Sequence, residues 1–183
     1  MNCIKKEEAG FSYIDVMIAV TILLVGVMAL VSAITSGITM TTSSQQALAG
    51  KQIAASTVES IFTLRDLDKL GWDALGNVGD SAIPGGVFVA GEQDIYPTYG
   101  GDGIIGTADD VLGPDGYEGT SDDGQPVAGY RREIRITDIP DPDRPSSPIT
   151  LRRIDVIIHY YVGSVPRDET FTTYAANYRL KQD

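Results

Sequence analysis

The sequence predicts an α+β protein in which a long N-terminal helix packs on a small antiparallel β-sheet. An apolar run near the N-terminus continues into a stretch with helical spacing that ends at about residue 67. From residue 130 onward the apolar residues recur at every second position, which is typical of strands with one buried face. A segment rich in Gly and Asp separates these two patterns.

Five segments follow from these patterns. They are a short leader at 1–10, a membrane-spanning helix at 11–35, an amphipathic helix at 36–70, a Gly/Asp-rich loop region at 71–129 and an antiparallel sheet at 130–183. The chain has 183 residues, which is enough for one domain with a modest core in addition to an anchor.

The first helical segment is apolar enough to span a membrane. No charged residue occurs between Val16 and Ala33, and about 20 apolar helical residues cross a bilayer's hydrocarbon core. Lys5 and Lys6 precede this run, which predicts a cytoplasmic N-terminus and a globular part outside the cytoplasm. We therefore expect a single-pass anchor in the cytoplasmic membrane.

Asp15 is the one acidic residue near the start of the apolar run. An ionised carboxylate in hydrocarbon costs several kcal/mol unless a partner neutralises it. The position of this residue therefore indicates a specific assembly partner.

The second helical segment has one apolar stripe. Ile53, Val58, Ile61 and Leu64 recur at roughly helical spacing, with polar residues mostly between them. We expect this stripe to pack against the sheet, and no proline interrupts the helix from residue 11 to residue 67.

The boundary between leader and helix carries a contiguous motif. It reads Gly10-Phe11-Ser12-Tyr13-Ile14-Asp15-Val16-Met17-Ile18-Ala19. This resembles the class III signal of type IV prepilins and pseudopilins, in which a short basic leader ends in Gly and Phe-Thr/Ser-Leu-Ile-Glu-Val-Met-Ile-Ala follows. Tyr13 stands where Leu is usual, and Asp15 stands where Glu is usual.

The resemblance implies a processing step and an assembly step. Prepilin peptidase would cut between Gly10 and Phe11 and methylate the new amino terminus. Asp15 would then pair with the terminal amine of a neighbouring subunit, and the helices would bundle in a filament core. Asp keeps the charge of Glu but is one methylene shorter. The implied partners are the peptidase, the inner membrane and other pilin or pseudopilin subunits.

Two assemblies fit the resemblance. Major pilins commonly carry Pro at the place of Ser32, and its absence is more similar to minor pilins of the PilV type and to I-class minor pseudopilins of type II secretion. We therefore predict a minor pilin of a type IV pilus, and a minor pseudopilin of a type II secretion system is the alternative. A membrane-tethered calcium-binding or adhesive module that does not polymerise is an alternative of another class.

The loop region contains a short internal repeat with the frame Asp-Gly-x-x-Gly-Thr-x-Asp-Asp, which recurs after thirteen residues. Its acidic residues are Asp102, Asp109, Asp110, Asp115, Asp122 and Asp123. Carboxylates are the hard oxygen ligands that Ca²⁺ takes, although the frame is not an EF-hand loop. Calcium binding and a solvated acidic loop with Asp-Gly turns therefore both remain open.

Three runs in the last third predict consecutive antiparallel strands. They lie at 130–137, 154–162 and 170–178, and a further short strand is expected at 86–90. The apolar face of this sheet would cover the amphipathic part of the helix.

Little in the sequence indicates catalysis or nucleic-acid binding. His159, the only histidine, falls within a strand and builds no catalytic set, so we expect no enzyme. The formal charge of −11 argues against nucleic acid as a partner, since phosphate binding requires clustered cations.

The predicted strands carry one cluster of basic residues, which comprises Arg131, Arg132, Arg135, Arg152 and Arg153. These residues either form ion pairs on the strand surface or contact another subunit. Trp72 is expected to cap the core where the helix ends.

Overall fold

A computed structural model describes residues 10, 12–97, 99–113 and 124–177. The elements are α1 (Tyr13–Asp66), β1 (Gln93–Asp94), a 3-10 turn (Asp110–Leu112), β2 (Tyr130–Ile139), β3 (Leu151–Val162) and β4 (Val165–Ala176). The fold is α+β, with one long N-terminal helix packed on a four-stranded antiparallel sheet, as the sequence predicts.

The chain divides into two compact units, Met1–Ser44 and Gln45–Asp183, and the division falls inside α1. No described side chain of the first unit is buried. Within the described residues, α1 is the one helix long and apolar enough to cross a membrane, and its apolar window is exposed throughout. This finding is compatible with a single-pass anchor.

The Ser and Thr side chains in the middle of α1 are satisfied inside the helix. Their hydroxyls donate to the carbonyl four residues earlier at 2.9–3.0 Å, in Thr35, Thr39, Thr41, Thr42 and Ser44. The hydrogen-bond donor of such a hydroxyl is already satisfied, so an apolar environment leaves no donor unpaired. The polar composition of this stretch is therefore compatible with a continuous helix.

The second unit is built around one core. The sheet order is β1-β2-β3-β4, with every neighbouring pair antiparallel. α1 contributes Ala54, Val58, Ile61 and Leu64 to the core, while Ile53 is partly buried. The sheet contributes Ile134, Ile136, Ile154, Val156 and Ile158. The predicted stripe on α1 and the predicted strand alternation therefore identify the two surfaces that meet.

The element boundaries differ from the prediction at a few places. α1 ends at Asp66, within a residue of the expected end. β4 begins at Val165 rather than 170, because Gly163, at a φ of 64°, and Ser164 form a two-residue turn that keeps β3 and β4 paired up to Val162 and Val165.

The strand predicted at 86–90 is wrong. Phe88 forms only an isolated parallel bridge with Asn77, and its fully buried side chain belongs to the core. A Cβ atom at Gly86 would lie 2.4 Å from the carbonyl carbon of Gly76, so this segment lies directly against residues 76–77. The fourth strand of the sheet is β1 instead, whose Gln93 pairs with Arg132.

Candidate functional site

The start of α1 holds Asp15 in the first helical turn. The Ser12 backbone N–H donates to the Asp15 carboxylate at 3.2 Å, and the Asp15 N–H donates to the Ser12 carbonyl at 2.9 Å. Ser12 therefore lies at the N-cap and Asp15 at the third helical position, as in a capping box. A negative charge is favourable at this end because the helix dipole is positive there. Gly10 is exposed, and Phe11 lies outside the described residues.

Asp15 adjoins an apolar surface. The neighbouring side chains on its face of the helix are Val16, Ala19, Val20 and Leu23, which form a shallow groove with it. Within the described part of the chain, no Lys, Arg or His forms an ion pair with Asp15. The start of the helix thus combines an exposed apolar surface with one carboxylate whose cation this part of the chain does not supply.

The described part of the acidic repeat forms a compact turn. The Asp102 N–H donates to Asp109 Oδ2 at 3.0 Å, and the Thr107 hydroxyl donates to Asp109 Oδ1 at 2.6 Å. Asp102 Oδ1 accepts from the Ile104 N–H at 2.7 Å. The Asp and Thr residues of the repeat therefore bond to one another and to the turn's own backbone.

The pKa values of the Asp102 and Asp109 carboxyl groups are shifted in opposite directions. Burial raises the pKa of Asp102, and the nearby Asp109 carboxylate adds to this effect. Burial alone would also raise the pKa of Asp109, but hydrogen bonds from the Thr107 hydroxyl and from backbone N–H groups more than offset it, so its pKa is lowered. Asp109 is therefore the carboxylate that the turn stabilises in its ionised form.

Asp110 faces the core instead. Its Oδ2 atom accepts from Arg132 Nη2 at 3.1 Å and from the Gly106 N–H at 2.7 Å, and both charged side chains are buried. Burial raises the pKa of Asp110 and lowers the pKa of Arg132, and in both residues it outweighs their mutual attraction. Asp110 Oδ1 and Arg132 Nη1 have no hydrogen-bond partner in the described structure.

This buried pair was missed by the sequence analysis, although β2 contains a signal for it. Arg132 occupies the same face of the strand as Ile134 and Ile136, which the alternation predicts to be buried. A buried Arg requires a carboxylate partner because an unpaired buried charge is costly. The nearby Asp-rich turn supplies that partner.

Calcium binding by the repeat stays a prediction. Asp115, Asp122 and Asp123 lie outside the described residues, and Asp110 is engaged by Arg132. Among the residues described, no group of three or more His, Cys, Asp or Glu side chains is arranged to hold a metal ion. Both oxygens of Asp109 already accept hydrogen bonds.

The basic cluster is paired within the chain. The carboxylate partners are Asp94 and Glu92 for Arg131, Asp110 for Arg132, Glu133 for Arg135, Asp138 for Arg152 and Asp155 for Arg153. This arrangement favours paired strand residues over a contact with another subunit. The Arg152 guanidinium also lies 4.3 Å from the ring centre of Trp72, which is partly buried and packs on the core.

His159 lies on the sheet face opposite the core residues of β3. Its Nδ1 atom is 2.8 Å from Asp168 Oδ1, and its Nε2 atom is 3.7 Å from Glu133 Oε2. The only histidine thus lies between a carboxylate of β2 and a carboxylate of β4.

Comparisons with protein-family models, with curated proteins and with solved structures found no match.

Proposed function

We propose that this chain is a minor pilin-like subunit that prepilin peptidase cleaves between Gly10 and Phe11 and that assembles through α1 into a type IV pilus. The observation that carries the proposal is the contiguous motif from Gly10 to Ala19, which resembles the class III prepilin signal. The motif runs into the first two turns of α1, a helix of 54 residues. No described side chain of the first unit, which contains this part of α1, is buried.

The exposed surface of the first unit supports this proposal. Ile22, Leu23, Val25 and Met28 are each more than 60% exposed, on different sides of the helix. So much apolar surface is stable only against lipid or against other apolar helices. A pilin subunit uses both environments in turn, since it is stored in the inner membrane and then packs its helix in the filament core.

Asp15 would fix the axial offset between neighbouring helices in this packing. After cleavage, the Phe11 amine of a neighbouring subunit would be the cation that the described part of the chain lacks. In a low-dielectric filament core an unpaired carboxylate is costly, so the pair forms at one axial offset between neighbours. Methylation of the amine leaves its positive charge in place.

The test substitutes Asp15 in the native host and measures incorporation into sheared surface filaments. We expect Asp15→Ala to be cleaved normally but to be incorporated several-fold less than the wild type. Asp15→Glu is the matched control, and it should be incorporated at least as well because it keeps the charge. Normal incorporation of Asp15→Ala would contradict the role proposed for this carboxylate.

A minor pseudopilin of a type II secretion system is the alternative with the same processing and the same helix. A deletion strain distinguishes the two, since loss of surface pili supports the first assembly and loss of protein secretion supports the second. A membrane-tethered calcium-binding or adhesive module is the alternative of another class. It predicts an uncut chain and a globular part that calcium stabilises on its own.

A further inference from the structure

β4 is the edge strand of the sheet and has twelve residues. It pairs with β3 along its whole length, from Val165 to Ala176. On its other side, no described residue forms a ladder with it. With respect to the described residues, the strand therefore has a second row of backbone groups available for pairing.

Two hydrogen bonds and the position of one proline show which residues of β4 direct their backbone groups to this outer row. The Asn177 N–H donates to the Thr150 carbonyl at 2.8 Å, so odd-numbered residues of this stretch bond to β3. Pro166, which has no N–H, therefore occupies an outward position, as expected for proline in an edge strand. The Ala176 carbonyl likewise points away from β3 and accepts from Arg65 Nη2 at 2.7 Å. The N–H and C=O groups of Thr170, Thr172 and Tyr174 thus face outward.

The two halves of β4 differ in charge. The first half contains Pro166 and three consecutive charged residues at 167–169, which are typical devices against edge-to-edge pairing. The stretch 170–176 carries no charge and is rich in Thr and aromatic residues, which favour strand pairing. Phe171 is 43% exposed and Tyr174 is 56% exposed, on opposite faces of the sheet. Only the second half is therefore suited to accept another strand.

The opposite edge of the sheet is closed by the chain itself. Asn77 Nδ2 donates to the Ile134 carbonyl at 2.6 Å, and the Ile136 N–H donates to Asn77 Oδ1 at 2.8 Å. β1 pairs with the beginning of β2 as a short antiparallel strand. The fold thus satisfies one edge through a side chain and a short strand, while no strand within residues 12–97, 99–113 and 124–177 pairs with the outer edge of β4.

We propose that residues 170–174 bind an extended, uncharged segment of another subunit of the same assembly as an additional strand. This inference rests on the function proposed above. A β-strand is the partner that can satisfy a row of alternating N–H and C=O groups on both sides of Thr172. Its side chains would also cover Phe171 and Tyr174, where a charged residue would be desolvated without a counter-ion.

Hydrogen exchange of the full chain tests this directly. The rates of individual backbone amides are compared between assembled filaments and the same chain solubilised as a monomer in detergent. In filaments, the outward amides of Thr170, Thr172 and Tyr174 should exchange at about one tenth of their rate in the monomer or more slowly, as expected when a backbone hydrogen bond is added. The inward amides of Phe171 and Thr173 should be protected in both samples.

Two variants separate the added strand from the stability of the fold. Thr170→Pro removes one outward N–H and no bond to β3, and Pro166 shows that this register accommodates proline. Thr170→Val keeps the N–H and the β-branched shape. We expect both to unfold at the wild-type midpoint in detergent, and only Thr170→Pro to be incorporated several-fold less.

Each other outcome overturns the proposal in a distinguishable way. An incorporated chain whose outward amides still exchange fast would contradict strand addition and leave the proposed function intact. Protection already present in the detergent monomer would mean that the chain covers its own edge. Protection that appears only in a detergent homodimer would identify a second copy as the occupant instead. A chain that is never processed or incorporated would contradict the proposed function and this inference with it.

Discussion

The two compact units of this chain place apolar and charged residues in opposite ways. In the first unit the side chains of Leu24 and Val25 are more than half exposed, and no described side chain is buried. In the second unit charged residues lie inside, with Arg132 and Arg152 almost inaccessible to solvent. The described part of the first unit therefore exposes an apolar surface that is compatible with a membrane anchor, whereas the second unit supplies its own core and its own counter-charges.

The buried charged side chains of the second unit have their partners within that unit. Arg152 donates to Asp138 at 2.7 Å and to the Leu75 carbonyl at 3.0 Å, and it also bonds to the Trp72 carbonyl. Its guanidinium thus has partners in β2 and in the segment that follows α1. Such contacts stabilise a domain that folds around one fixed arrangement of loop and sheet. The first unit has no equivalent set of contacts in the described residues.

A pair of matched substitutions in α1 should separate the two units most strongly. Val58→Asp places an uncompensated carboxylate in the core and should cost the second unit about 3–5 kcal/mol of unfolding free energy. Val25→Asp changes an exposed residue of the first unit and should leave that free energy unchanged. The measurement is unfolding of the full chain in detergent, followed by the fluorescence of Trp72, the only tryptophan.

The same two variants should show the reverse order in membranes. A carboxylate at the bilayer centre costs about 2.5–3.5 kcal/mol, so Val25→Asp should weaken retention of the chain in alkali-washed membranes. Val58→Asp should be retained like the wild type. Equal behaviour of the two variants in both assays would remove the distinction between the units.

The Asp110–Arg132 pair tests whether the second unit satisfies its own charges. Arg132→Met leaves the buried Asp110 carboxylate without its cation, and we expect a loss of about 3–5 kcal/mol. The double variant Arg132→Met with Asp110→Leu should recover most of that loss, because both buried charges are removed together. A small effect of Arg132→Met, measured by the same unfolding experiment, would mean that water already reaches the pair.

The acidic turn gives the smallest effect and a defined pH dependence. Because the pKa of Asp109 is lowered by folding, its contribution is present above the unfolded-state value of about 3.9 and is lost as pH falls through the folded-state pKa. Asp109→Asn should destabilise the chain by no more than about 1 kcal/mol at neutral pH, since the side chain is partly exposed to water.

The difference between the wild type and Asp109→Asn should stay constant from neutral pH to about pH 4 and shrink below it. Unfolding midpoints at several pH values give this curve. A difference that grows on acidification would contradict the lowered pKa of Asp109. Substitutions in the first unit should show no such dependence.

The parts of the fold that the sequence predicts are those with a repeating pattern. The helical spacing of Val58, Ile61 and Leu64 identified the buried face of α1. The alternation in β2 and β3 identified both strands and the face that covers the helix. These patterns arise because burial of one face repeats along a helix or a strand, so each residue adds to the same signal.

The parts that were missed depend on single contacts between distant residues. Asn77 closes the edge of β2 across 57 and 59 residues of sequence, and no periodic pattern marks it. Phe88 is of a residue type that is common in strands, but it lies in a loop and its side chain is buried in the core. The edge position of β4 in the described sheet could likewise not be predicted, because it is a property of strand order rather than of side chains.

The intact mass of the chain, expressed with and without prepilin peptidase, tests the central claim most directly. We expect loss of residues 1–10 and gain of one methyl group only when the peptidase is present. Gly10→Asp, which changes the residue before the cut, should remain uncut in the same host. A full-length wild-type mass in both hosts would contradict the pilin proposal and favour the tethered module.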